Sequence, residues 1–197
     1  MQLKMLVVVI ALAVVFGVAA PKAFASNLLI NGSFETGDFT GWSLMNCGQP
    51  LCQVVSGAFY RYTGAENGND YAVLGPVGVG TLSESFSDIV GAQYTFSFWF
   101  AGAGDFHSFF AAYWDSTQLL TLSSADTGGS WTQFSFTETG TGSDSISFQF
   151  VDFIQFEALD NASVSGVVTP TPEPSSLILL ATGVLGLDGV VRRKLRG

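Results

Sequence analysis

The chain has 197 residues, 48% hydrophobic, 14% aromatic and only 12% charged, with 7 Lys+Arg against 16 Asp+Glu. Its 18 Phe, 5 Tyr and 4 Trp carry more apolar surface than a disordered chain holds, and a formal charge of -9 excludes sequence-independent nucleic-acid binding, which needs a basic footprint. The length fits one domain with appendages.

The N-terminus reads as an export signal over residues 1–25. Lys4 supplies the positive start, residues 6–20 are an apolar stretch of fifteen, and Ala23-Phe24-Ala25 forms a small-x-small cleavage box before Ser26. An uncut membrane anchor is the alternative, but fifteen apolar residues are short for a bilayer.

Residues 26–166 are expected to form the exported domain. Six of the seven basic residues lie outside it; between residues 26 and 174, Arg61 stands alone against fifteen acids, a net of -14. Such a segment repels phosphate and anionic lipid and is compatible with cations, neutral sugars or plain solubility. Cys47 and Cys52, five apart with Gly48 and Pro50 between them, are expected to close a small disulfide ring in the oxidising compartment, free thiols being the alternative. Zinc is a poor rival, because two thiols and one distant histidine make no usual ligand set.

Apolar residues in this domain recur with period two. Tyr94 to Phe100, Phe134-Ser135-Phe136 and Ile146 to Phe150 alternate aromatic or aliphatic with small polar residues, the pattern of half-buried antiparallel strands. Gly/Asp/Asn/Ser clusters at 65–70, 102–105, 126–129 and 140–144 mark turns. No segment is a convincing amphipathic helix, so the expected fold class is all-β, an antiparallel β-sandwich. If Ala162 and Val164 face the core, strand parity puts Asp160 on the same face. There it must be neutralised, hydrogen-bonded or metal-bound, unless it lies exposed at the strand end as an acceptor for backbone N–H.

From Thr169 the composition changes. Thr169-Pro170-Thr171-Pro172-Glu173-Pro174 reads as a stiff extended linker, within a linker segment at 167–174. Residues 175–191 are seventeen mostly apolar residues, long enough as a helix for about 25 Å and so at the lower limit of a membrane span. Asp188 weakens that span. The basic tail at 192–197, with Arg192, Arg193, Lys194 and Arg196, is expected to stay cytoplasmic, leaving the domain outside and tethered to the inner membrane.

Pro172-Glu173-Pro174, followed by Ser175-Ser176, an apolar segment and a terminal Arg-rich cluster, resembles the PEP-CTERM sorting signal of Gram-negative bacteria. The resemblance implies recognition by a membrane-embedded protease of the exosortase family. It also implies delivery to the cell envelope, the surface or the exterior, often in species that make exopolysaccharide. A tail that anchors without processing is the alternative. The domain itself resembles the galactose-binding-like jelly rolls common in such proteins: Asn27 to Glu35 with Gly41-Trp42 matches their N-terminal strand, Tyr94 to Phe100 their central strand, and Leu159 to Val164 their final strand. The resemblance implies a structural calcium ion held by Glu35 and Asp160, with Asn161 standing where a second acid is common. No other cofactor is expected.

Enzyme chemistry finds little support. His107 is the only histidine, it lies in an aromatic run that reads as a strand face, and no nucleophile-elbow motif or phosphate-cradling loop exists. The expectation is a non-catalytic envelope or matrix protein. The alternative is a carbohydrate-binding module for an exopolysaccharide, with Tyr113 and Trp114 the foremost candidates for stacking on a sugar, and Tyr60, Tyr62 and Tyr71 behind them.

Overall fold

The computed structural model describes residues 26–166. The expected signal peptide, linker, sorting helix and basic tail lie outside the described residues, and with them Pro172, Glu173, Pro174 and the terminal cluster. Among the described residues no helix is long and apolar enough to cross a membrane.

Ten antiparallel strands make the domain: β1 (Ser43–Met45), β2 (Cys52–Ser56), β3 (Asp70–Leu74), β4 (Gly80–Ser87), β5 (Gln93–Ala101), β6 (Phe109–Trp114), β7 (Thr117–Ser123), β8 (Thr132–Thr139), β9 (Ser143–Val151) and β10 (Glu157–Gly166). They form two five-stranded sheets, sheet I in the order β1-β4-β9-β6-β7 and sheet II in the order β2-β3-β10-β5-β8. The expected two-sheet antiparallel sandwich is present.

Period-two alternation explains the packing. On β5 the residues Tyr94, Phe96, Phe98 and Phe100 point inward and are buried; on β9 Ile146, Phe148 and Phe150 do the same from the opposite sheet. Phe98 meets Phe148 edge-on at 4.9 Å between ring centroids, Phe110 of β6 stacks on Phe148 at 5.7 Å, and Phe98 approaches Phe110 at 5.9 Å. Offset and edge-on contacts of this kind add to the area each ring removes from water.

The N-terminal residues depart from expectation. Residues 27–42 are turns and bends rather than a strand. Asn31 and Phe34 take positive φ values of 55° and 57°, which interrupt extended backbone. Asn31 knits the turn together, its amide donating to Asp38 O at 2.9 Å while its Oδ1 accepts from Thr36 N at 3.2 Å. This segment docks beside β10, with Leu28 N donating to Val164 O and Ala162 N to Gly32 O, each at 2.8 Å. Gly32 is required there because a Cβ would lie 2.0 Å from Ala162 O. Entry and exit of the described chain therefore share one end of the sandwich. Near the other end, Cys47 and Cys52 are joined, with their Cα atoms 5.7 Å apart.

Candidate functional site

Sheet I presents its outer face as a polar floor. The inward rows of β6 hold Phe110, Ala112 and Trp114, so Tyr113 points outward. Register places Ser43, Ser83, Ser147, Tyr113 and Gln118 side by side across the five strands. The adjacent row runs Met45, Thr81, Gln149, Ala111 and Thr121. The half-buried Tyr113 is the ring among these hydroxyls and amides, and its phenol lies 3.0 Å from Gln118 Oε1 and 3.3 Å from Gln149 Oε1. One phenolic hydrogen serves one of them at a time, which leaves amide and hydroxyl capacity for a ligand. Asp115 is committed at the rim, accepting from Ser145 N at 2.8 Å and Ser145 Oγ at 3.1 Å. A floor of this composition can offer many neutral hydrogen bonds and one apolar ring; it supplies no pair of acids.

The neighbouring Trp114 is a correction. It is 4% exposed and packs against Phe86 at 5.3 Å, Tyr94 and Phe96 in the core, so no sugar can stack on it. Adjacent residues on a strand take opposite faces, and Tyr113 and Trp114 could not both be platforms. Tyr62 and Tyr71 are also buried, on the outer side of sheet II, where they pack with Trp131 beneath the β2–β3 connection. Tyr60 is 69% exposed beside Phe156. His107 lies in a turn before β6, not on a strand face.

Glu35 and Asp160 converge on one loop. Glu35 Oε1 accepts from Asn69 N at 2.8 Å and Asp70 N at 3.0 Å. Asp160 Oδ2 accepts from Glu66 N at 2.9 Å and Asn67 N at 3.2 Å, and its Oδ1 from Asn161 N at 2.6 Å. Gly68 sits between these partners, where a Cβ would meet Glu35 Oε1. The parity expected for Asp160 fails. A bulge between Asp160 and Ser163, with Asn161 at φ 49°, pairs Asp160 with the outward Trp99 while Val164 stays opposite the inward Phe96. Asp160 thus lies on the far side of sheet II from Ala162 and Val164, yet the loop covers it completely. Burial pushes its carboxyl up to about 6 against the pull of its N–H donors.

An all-oxygen set of this kind suits calcium, and Glu35, Glu66 and Asp160 with the loop's oxygens are the groups that would hold it. Among the described residues, however, no three His, Cys, Asp or Glu side chains are placed to share a metal as they stand. The carboxylates instead work as caps for the loop backbone.

Residues 170–194 match the PEP-CTERM protein-sorting motif. The sandwich is similar to the solved structure of TmCBM61 in complex with beta-1,4-galactotriose, at 16% identity over 73% of this chain and 100% of that one, with a TM-score of 0.59. It is similar to the Stig cyclase Fisc from Fischerella sp. TAU at 13% identity, 74% and 98% coverage and a TM-score of 0.54. A third similar structure is the CBM22-1 xylan-binding domain from Paenibacillus barcinonensis Xyn10C, at 17% identity, 75% and 99% coverage and a TM-score of 0.50. At such identities the likeness is one of fold, and it reaches binding modules and an enzyme alike. No curated protein matches the chain in sequence.

Replacing Asp160 with alanine strands three backbone N–H groups under the loop. Asp160→Ala is expected to lower unfolding free energy by about 3 kcal/mol, measured by denaturant titration, whereas an exposed serine such as Ser85→Ala changes it by less than about 0.5 kcal/mol. The chain carries a PEP-CTERM protein-sorting motif, C-terminal to a β-sandwich whose fold is similar to that of TmCBM61, the cyclase Fisc and the CBM22-1 xylan-binding domain.

Proposed function

We propose that this is a non-catalytic protein of the cell envelope or extracellular matrix whose sandwich binds a neutral polysaccharide across the outer face of sheet I. The observation that carries the reading is Tyr113, set in a five-strand floor that is mostly serine, threonine and glutamine, with Met45 and Ala111 among them. A sugar offers an apolar ring face and a fringe of hydroxyls, and that floor offers the complement of both. The net charge of -14 between residues 26 and 174 disfavours acidic polymers. The C-terminal segment would hold the domain at the inner membrane until an exosortase-type protease cuts near Pro172-Glu173-Pro174. A passive matrix role is the second reading, supported by the small, flat side chains that make up most of the floor.

Binding of the full chain to a panel of neutral and acidic polysaccharides separates the two. Saturable binding to a neutral polymer, weakened about tenfold by Tyr113→Ala for a loss near 1.4 kcal/mol, is expected. Absence of binding throughout the panel favours the passive role. Hydrolysis of any polymer in the panel would overturn the non-catalytic assignment. Mass spectrometry of the mature protein should find a C-terminus close to Pro172-Glu173-Pro174, whereas retention of Arg196 identifies a permanent anchor. Calcium held by Glu35 and Asp160 would raise the melting temperature of chelator-treated protein, and Glu35→Gln should abolish that rise.

A further inference from the structure

Three acids meet at the end of the sandwich opposite the chain's entry and exit. Glu157 begins β10 in register with the inward Leu74 and is 0% exposed, and neither of its carboxyl oxygens has a hydrogen-bond partner. Asp152, 3% exposed, closes the loop before β10 by accepting from Ile154 N at 3.1 Å and Gln155 N at 2.7 Å. Asp105 shapes the loop before β6, its Oδ1 accepting from His107 N at 2.7 Å, while its Oδ2 is buried without a partner. The two loops meet where the His107 ring lies against Phe153, and Asp105 makes the buried Asp152 carboxyl harder to ionise. A buried carboxyl beside another acid and without a cation is favoured in its protonated form.

The surroundings offer no positive charge to neutralise them. The groups that act on Glu157 are Asp152 and Asp105, both acidic. Tyr62, on the β2–β3 connection, has its hydroxyl engaged by Phe156 O and Ala101 O, and its own proton is held more tightly because of burial and the charges of Glu157 and Asp152. Arg61 places Nη1 3.4 Å from Ala103 O, and the His107 ring lies on Phe153 at 5.7 Å. The three acids are not placed to share a metal as they stand. A proton on the carboxyl neutralises such a group where it lies.

We propose that Asp105, Asp152 and Glu157 form a proton-held clasp that closes the 102–108 and 152–156 loops over the far end of the sandwich and releases them when it ionises. These loops carry Phe106, Phe153 and Ile154, which are 94%, 54% and 61% exposed, so the clasp governs how an apolar edge is presented to the exterior. The sign follows from burial. The Glu157 carboxyl binds its proton more tightly folded than unfolded, so the stabilisation is complete below the ordinary value of 4.5 and is lost as pH rises through the folded value.

The test uses the full chain in chelator-containing buffer between pH 4.5 and 8.5. The melting temperature should fall by about 5 °C or more as pH rises, and amide exchange in 102–108 and 152–156 should accelerate beyond the intrinsic base-catalysed increase. Glu157→Gln should reduce both responses, leaving in the melting temperature the share that Asp160 contributes. Asp105→Asn, on a surface loop, should reduce both and serves if the core variant folds poorly. Parallel pH profiles in the wild type and both variants would overturn the clasp. Calcium that restores the wild type at pH 8.5 but not Glu157→Gln would overturn it too, by showing that a cation rather than a proton fills the cluster.

Discussion

The two sheets are held face to face by phenylalanine rings. Backbone ladders run within each sheet, so adhesion between sheets depends on removing apolar surface from water, and Phe98, Phe110 and Phe148 occupy the middle of that contact. This requirement dictates the rest of the strand chemistry. The inward positions from Tyr94 to Phe100 on β5 and from Ile146 to Phe150 on β9 are committed to packing, and most of the alternate positions are serine, threonine or glutamine. The polar floor of sheet I is the solvent-facing complement of the aromatic interior. The proposed binding floor and the core therefore share the same strands without sharing a residue.

The domain's acids are handled in distinct ways because it has so few bases. Glu35 and Asp160 place their charge against backbone N–H groups of one loop, and Glu84, on the inward row of β4, accepts from Ile30 N at 2.6 Å. Burial raises the Glu84 carboxyl above its ordinary range, as it does for Asp152 and Glu157. An acidic domain with Arg61 as its one base among the described residues must satisfy buried carboxylates mostly with backbone donors or protons. The acidity visible in the composition thus becomes a set of local constraints on loops.

Much of the fold was legible in the sequence where alternation was strict. Tyr94 to Phe100 and Ile146 to Phe150 declared both their strand character and their buried face. β6 was harder, because Phe109 to Trp114 is apolar on both faces and gives no parity signal; the choice between Tyr113 and Trp114 needed the register with β9. Asp160 was misplaced for a different reason. A single bulge at Asn161 reverses the face of everything before it, and residue types do not announce an inserted residue. The N-terminal match predicted a strand, but left-handed Asn31 and Phe34 turned it into a run of turns. The Asp105, Asp152 and Glu157 grouping left no sequence trace, since it joins two loops nearly fifty residues apart.

Leu28 and Val164 are hydrogen-bonded neighbours although they stand near opposite limits of the described chain. A body whose entry and departure lie at one pole is mechanically a pendant: force applied at either limit of the described residues loads the Leu28–Val164 seam before it reaches the aromatic interior. The far pole, where exposed Phe106 and Phe153 reside, lies outside that path.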